Sequence, residues 1–204
     1  MKRIASISGA NGEKQGDAFK LAPFNPSSDQ IQEKATSMFD LGEHDVLFDI
    51  GCGDGRLLCF AATKIPGLKC VGIEILEEFV SRARERVKEC NLESRIDIRL
   101  EDATKLVETS TAEIGKGIKA NDEGEKCLSD LTLLDDATAL YLFILPKGIV
   151  KIMPILQSLK EKRNDEGKRL KVLSYMFKIH DWEATKTDVS GKGGCPVYYY
   201  DFQP

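Results

Sequence analysis

Asp49-Ile50-Gly51-Cys52-Gly53-Asp54-Gly55 sets an acid, then three glycines on alternate positions, directly after the apolar run Val46-Leu47-Phe48. Glycine is needed where a chain leaves a strand sharply and lets a ligand approach its backbone. Glu74 closes the next apolar stretch, Lys69-Cys70-Val71-Gly72-Ile73. From there a carboxylate can accept hydrogen bonds from both hydroxyls of a ribose. Between the two stretches Leu57, Leu58, Ala61, Ala62 and Ile65 share one helical face. The whole reads as a nucleoside-binding strand–helix–strand unit. A dinucleotide fingerprint needs a third glycine where Arg56 stands, and a pyrophosphate would face Asp49 and Asp54. A nucleoside whose other end is cationic suits those acids better.

The elements that must position these residues follow from periodicity. Ser27 through Gln30 has the spacing of a capping box and predicts a helix over 29–40, apolar at Ile31, Ala35, Met38 and Phe39, with Gly42 as its stop. Strands are expected at 45–50, 69–74, 96–100 and 137–142, and helices at 55–64 and 77–90, the latter with Phe79, Val80, Ala83, Val87 and Cys90 inward. The run at 137–142 is continuously apolar, as a buried parallel strand should be, and Pro146 ends it. Ile149, Ile152, Met153, Leu156 and Leu159 point to helix, with Pro154 placed at the first turn of a second helix. Leu170–Ile179 and Val197–Phe202 read as two strands with a polar loop, 180–194, between them. With no helix separating them, they form an antiparallel hairpin. The fold class is therefore α/β, Rossmann-like, a mostly parallel sheet closed by an antiparallel C-terminal strand. Residues 1–20 are polar and are expected to be flexible. Residues 21–204 form a single domain carrying an irregular insertion at about 108–129, where the periodicity stops.

Of the 204 residues, 42% are hydrophobic and 30% charged, with a net charge of −4, values typical of a soluble globular domain. The acidic balance argues against a protein held on nucleic acid by bulk electrostatics. Lys160, Lys162, Arg163, Lys168, Arg169 and Lys171 do cluster, but they alternate with Glu161, Asp165 and Glu166 and read as a solvated helix end and loop. Six cysteines (52, 59, 70, 90, 127 and 195) and two histidines show no metal-ligand spacing. Cys59, Cys70 and Cys90 fall on apolar faces. No metal is expected, and the compartment implied is reducing. The chain has neither a transmembrane-length apolar run nor the apolar core of a secretory signal near its N-terminus. An intracellular, cytoplasmic location is expected, with a mitochondrial one left open.

The pattern Asp-x-Gly-x-Gly-x-Gly resembles motif I of the class I S-adenosylmethionine methyltransferases. Beyond it, Pro26-Ser27-Ser28, Phe48–Arg56, Val71-Gly72-Ile73-Glu74, Tyr141-Leu142-Phe143-Ile144-Leu145-Pro146 and a late Trp182 occur in order. Together they resemble the family of the ATP-synthase c-subunit and adenine-nucleotide-translocase lysine methyltransferases and its small prokaryotic relatives, over about residues 22–202. The resemblance implies S-adenosyl-L-methionine as cofactor. It implies that Asp49, Gly51 and Gly53 hold the methionine portion and that Glu74 holds the ribose diol. Ile75, followed by Leu76, packs on the adenine. Asp102, followed by Ala103, accepts a bond from the adenine amino group. The chain departs from the family in the two extra apolar residues before Pro146 and in the 108–129 insertion, and an apolar N-terminal membrane segment like that of the mitochondrial members is not expected.

In this fold the end of the fourth strand lies beside the transferable methyl, so Tyr141, Phe143 and Pro146 are expected at the reaction centre. There is no Asn/Asp-Pro-Pro-aromatic stretch for adenine amino groups and no Pro-Cys nucleophile for cytosine. An aromatic, apolar strand end suits a desolvated amine. Trp182 and Phe24 are candidates for the pocket wall. His180 and Asp181 adjoin in sequence, with nothing to link them functionally. The favoured expectation is methylation of a lysine in a protein substrate. A small-molecule or RNA methyltransferase and a catalytically inactive cofactor-binding subunit stand as alternatives.

Overall fold

The computed structural model describes residues 26–106, 126–189 and 194–204. The expected flexible segment 1–20, Phe24 and most of the expected insertion lie outside them.

In chain order the described elements are α1 (Asp29–Phe39), β1 (Val46–Ile50), α2 (Arg56–Lys64), β2 (Lys69–Glu74), α3 (Glu77–Glu89), β3 (Ile96–Leu100), α4 (Leu133–Asp136), β4 (Ala139–Leu142), α5 (Pro146–Asp165), β5 (Leu170–Tyr175), β6 (Lys186–Asp188) and β7 (Val197–Phe202). The strands form one sheet in the order β3-β2-β1-β4-β5-β7-β6. β1 pairs in parallel with β2 and β4, β2 with β3, and β4 with β5. β7 runs antiparallel to both β5 and β6. This is the Rossmann-like α/β class expected, and the order reverses at β1, whose neighbours are β2 on one side and β4 on the other. In such open sheets ligands bind outside the carboxyl ends of the strands at the reversal.

Alternation along the strands sends neighbouring residues to opposite faces, and the core divides accordingly. Leu47, Cys70, Ala139, Tyr141 and Leu173 pack with α1, α2 and α3 through Phe39, Leu58 and Val80. Phe48, Val71, Leu140, Leu142 and Val172 pack on the other face against Leu133 of α4 and Ile152, Leu156 and Leu159 of α5. Gly72 of β2 is closely covered on the first of these faces. A Cβ there would lie 2.7 Å from Cys52 Sγ, 2.8 Å from Ile98 Cδ1 and 2.9 Å from Leu58 Cδ1.

Several expectations are corrected. Ser28, not Ser27, caps α1, and without a side-chain bond. The Ser27 hydroxyl is engaged with Tyr141 at 2.9 Å. α1 ends because Asp40 turns left-handed (φ 48°), two residues before Gly42. Pro154 lies inside α5, which runs unbroken from Pro146 to Asp165. Pro146 takes the first-turn position instead, where its missing N–H costs nothing. The carbonyl that Pro154 leaves unpaired belongs to Val150, whose exposure of 63% lets water satisfy it. β5 stops at Tyr175, where Met176 adopts φ 69°, well short of Ile179. The expected loop 180–194 contributes the edge strand β6, held to α1 by a 2.7 Å Lys34–Asp188 ion pair. Residues 126–130, assigned in part to the insertion, are ordered by Arg99, which donates to the carbonyls of Leu128 and Leu131, and by the Lys126–Asp136 ion pair. Cys90 is exposed rather than inward.

Gly72→Ala should destabilise the fold by roughly 1–3 kcal/mol, the usual cost of overpacking a filled core. The midpoint of urea unfolding measures it.

Candidate active site

The turn leaving β1 is built from three glycines with positive φ: Gly51 (79°), Gly53 (55°) and Gly55 (70°). The N–H groups of Gly51 and Cys52 donate to the Ile73 carbonyl at 2.8 and 3.1 Å, which lashes the turn to the end of β2. A side chain at Gly51 would be strained by its φ and would also press on Ile144 Cγ2 at 3.3 Å. The loop therefore keeps a bare backbone surface at the point of sheet reversal.

Glu74 organises that surface. Its Oε2 accepts from the Gly53 N–H at 3.0 Å, and its Oε1 accepts from the N–H groups of Ile75 (2.9 Å) and Leu76 (3.0 Å). An ionised carboxylate has about four acceptor positions, so the Oε2 side keeps capacity for one further donor. Ile75 and Leu76 are half-buried beside it. At the end of β3, Asp102 accepts through Oδ1 from the Thr104 N–H and hydroxyl at 3.0 and 2.7 Å, which starts a short turn over buried Ala103. Both bonds fall on Oδ1.

Asp49 is 3% exposed, and its carboxyl is pushed well above the ordinary value of 3.8, first by burial and then by the negative charges of Glu74 and Asp54. A cation brought to it would relieve that cost. Asp54 differs. Burial pushes its carboxyl upward, but the hydrogen bonds and charges of Arg56 and Arg86 prevail and hold it below the usual range. Arg56 Nη2 lies 2.6 Å and Arg86 Nη2 3.0 Å from Asp54 Oδ2, and Arg86 Nε also donates to the Asp54 carbonyl. The charge expected at Asp54 to repel a pyrophosphate is thus offset by two arginines. The clamp was not legible in the sequence, because Arg86 reaches Asp54 across 32 positions.

At the end of β4 the three expected residues occupy different environments. Tyr141 is 2% exposed, its hydroxyl bonded to Ser27, whose carbonyl accepts from buried Gln32 at 3.0 Å. Burial raises the Tyr141 phenol, so it stays protonated. Phe143 is half-buried with its ring against Tyr175, centroids 4.6 Å apart. Pro146 is exposed at the first turn of α5. Trp182 does not join them. It packs on the opposite face of the sheet, edge-on to Tyr200 and Phe202. His180 and Asp181 form an exposed pair 3.9 Å apart.

A methyltransferase-domain family model matches residues 47–114, which takes in β1 from Leu47 onward and all of β2 and β3. The chain is 24% identical over 181 residues to a protein-lysine N-methyltransferase from Saccharolobus islandicus, covering 87% of this chain and 92% of that one. It is 32% identical over 101 residues to an uncharacterized RNA methyltransferase from Protochlamydia amoebophila, covering 47% of this chain and 22% of that one. An RNA methyltransferase from Salinibacter ruber, crystallised with S-adenosyl-L-homocysteine, superimposes with a TM-score of 0.62 at 26% identity, covering 87% of this chain and 93% of that one.

Asp49→Asn separates the cost of the buried acid from its use. A raised folded-state pKa means that the stability contributed by protonation is fully present below 3.8 and is lost as pH rises through the folded value. The variant should therefore be more stable than the wild type at neutral pH, with the gain vanishing below pH 3.8. Urea unfolding across that range measures it.

Proposed function

Starting from a class I S-adenosylmethionine-dependent methyltransferase, which the matched domain, the sheet order and the likeness to a structure holding S-adenosylhomocysteine make this chain, we propose that its acceptor is a protein lysine side chain. The observation that carries the proposal is the end of β4, where the half-buried Phe143 ring, which has no hydrogen-bonding group, packs against Tyr175.

The residues fit the cofactor. Asp49 is a buried acid flanked by negative charge and would face the cationic methionine end. The bare turn at Gly51 and Gly53 gives backbone access. Glu74 would take the ribose, with Ile75 beside the base and Asp102 and Ala103 at its amino edge. Bound there, S-adenosylmethionine supplies an electrophilic methyl group on a sulfonium.

The protein's part is then to orient and desolvate a neutral amine. A lysine amine, with pKa near 10.4 in water, must shed its proton before it can attack, and an apolar surround favours the uncharged form. Direct displacement needs little further acid–base help, so positioning supplies much of the rate. Tyr141, fixed by Ser27, acts as the rigid floor of this end of the strand. Phe143 is the surface offered to the acceptor, and Pro146 sets the α5 rim.

The similarity to the Saccharolobus protein-lysine enzyme spans nearly the whole of both chains, which supports the same reading. The likeness to the Salinibacter RNA enzyme favours the second reading, an RNA acceptor. Against it, the basic cluster of the sequence is taken up internally. Lys162 pairs with Asp135, Lys168 with Glu166 and Arg169 with Asp201. Lys171 is buried against Asp45 and the Asp40 carbonyl.

Incubation of the protein with methyl-labelled S-adenosylmethionine and cell extract should put label into protein, and acid hydrolysis should release methyl-lysine. Label confined to RNA nucleosides or to small metabolites would refute the lysine assignment. With a lysine peptide as acceptor, kcat/KM should rise with pH as the amine deprotonates. Phe143→Ala should lower kcat at least tenfold, a loss of about 1.4 kcal/mol in transition-state stabilisation, and leave S-adenosylhomocysteine affinity unchanged by calorimetry.

A further inference from the structure

Outside the candidate active site, α1, α2 and α3 enclose a cleft of about 410 Å³ lined in part by Cys59, Phe60, Lys64, Arg86 and Cys90. Two cysteines, one from α2 and one from the end of α3, line it together. Cys59 is 5% exposed on the inner side of α2, whereas Cys90, at the C-terminal cap of α3, is exposed to solvent. After burial, Cys90 is the neighbour that most raises the Cys59 thiol, yet both are free thiols. A cysteine serving as a small hydrophobe would be covered, as Cys70 is. Cys90 is not, so packing does not account for the pair.

We propose that Cys59 and Cys90 form a reversible disulfide that closes in response to a peroxide and ties α2 to α3. The chemistry balances. The Cys90 thiolate attacks the peroxide O–O bond and becomes a sulfenic acid, releasing hydroxide that leaves as water. The Cys59 sulfur then attacks the Cys90 sulfur and displaces its hydroxyl group, which departs with the Cys59 proton as a second water. Two thiols and one hydrogen peroxide give one disulfide and two waters, and a dithiol reductant reverses the change. Access sets the order, since the peroxide reaches Cys90 from solvent. The Cys59 thiol is pushed up to about 12, first by burial and next by Cys90, so it stays protonated and acts second, as the resolving partner.

The position gives the bond a consequence. Cys59 lies one turn after Arg56 and Cys90 one turn after Arg86, the two arginines that hold Asp54. A bond closed on this seam staples the helices that follow the glycine loop and Glu74. It also encloses all of β2 in a covalent loop, which constrains the unfolded chain.

The test is hydrogen peroxide treatment of the reduced full-length protein, followed by alkylation, peptide mapping by mass spectrometry and thermal unfolding with and without dithiothreitol. A Cys59–Cys90 cross-linked peptide is expected, two hydrogens lighter than its reduced parts. It should come with a raised melting temperature that reverts on reduction, and both signs should be absent from Cys90→Ser. Cys90 is exposed, so that variant should fold normally. Cross-links only between other cysteines, Cys90 oxidised only to sulfinic acid, or a melting shift retained in Cys90→Ser would each overturn the proposal.

Discussion

The Glu74 carboxylate is the interaction on which the site depends. It gathers three backbone N–H groups from two different turns, Gly53 after β1 and Ile75 and Leu76 after β2. Hydrogen bonds to a charged group contribute roughly 1.5–3 kcal/mol each, more than the neutral bonds of the surrounding sheet. The glycines make such a tight turn possible, but glycine alone leaves a turn flexible. The carboxylate fixes it in one conformation. Because β1 and β2 are adjacent and parallel, locking their exits together shapes the crevice at the sheet reversal.

Two neighbouring acids differ because their surroundings differ. Asp54 faces Arg56 and Arg86 and becomes part of the scaffold, a clamp between the glycine loop, α2 and α3. Asp49 is buried among negative charges with its carboxyl pushed upward. A fold with no ligand for Asp49 would gain by replacing it. Its retention beside a bare glycine turn makes physical sense when the ligand brings positive charge, and a sulfonium nucleoside does so where a pyrophosphate would not. Lys162, Lys168, Arg169 and Lys171 of the C-terminal half are each paired with an acid of the same chain, which lowers the net positive charge of that cluster.

Most of the architecture was legible because parallel strands buried on both faces announce themselves as apolar runs. β2 falls at the expected residues for that reason, β3 by its apolar–polar alternation and the antiparallel β7 by its aromatic run, and the glycine–acid pattern marked the β1 exit as the candidate site. Errors arose where tertiary partners overrode local signals. The Ser27 hydroxyl bonds to Tyr141, 114 positions away, rather than capping its own helix. Pro154 stays inside α5 because the helix is buried along Ile152, Ile155 and Leu156, while Val150, whose carbonyl it leaves without a helical partner, is exposed. Lys186–Asp188 has a polar strand pattern, so β6 could be seen only once β7 was there to pair with it. Trp182 looked available for the pocket in sequence, but it lies beyond the hairpin on the opposite face, and a linear reading carries no sign of which face a loop residue will join.

The central claim is that the acid-flanked glycine turn holds a cationic nucleoside rather than a dinucleotide. Isothermal titration of the wild-type protein with S-adenosylmethionine, S-adenosylhomocysteine and NAD tests it most directly. Saturable binding of the first two with a stoichiometry of about one, as a single crevice of this kind requires, and no heat from NAD at equal concentration is the predicted result. Saturable binding of NAD with none of S-adenosylmethionine or S-adenosylhomocysteine would contradict it.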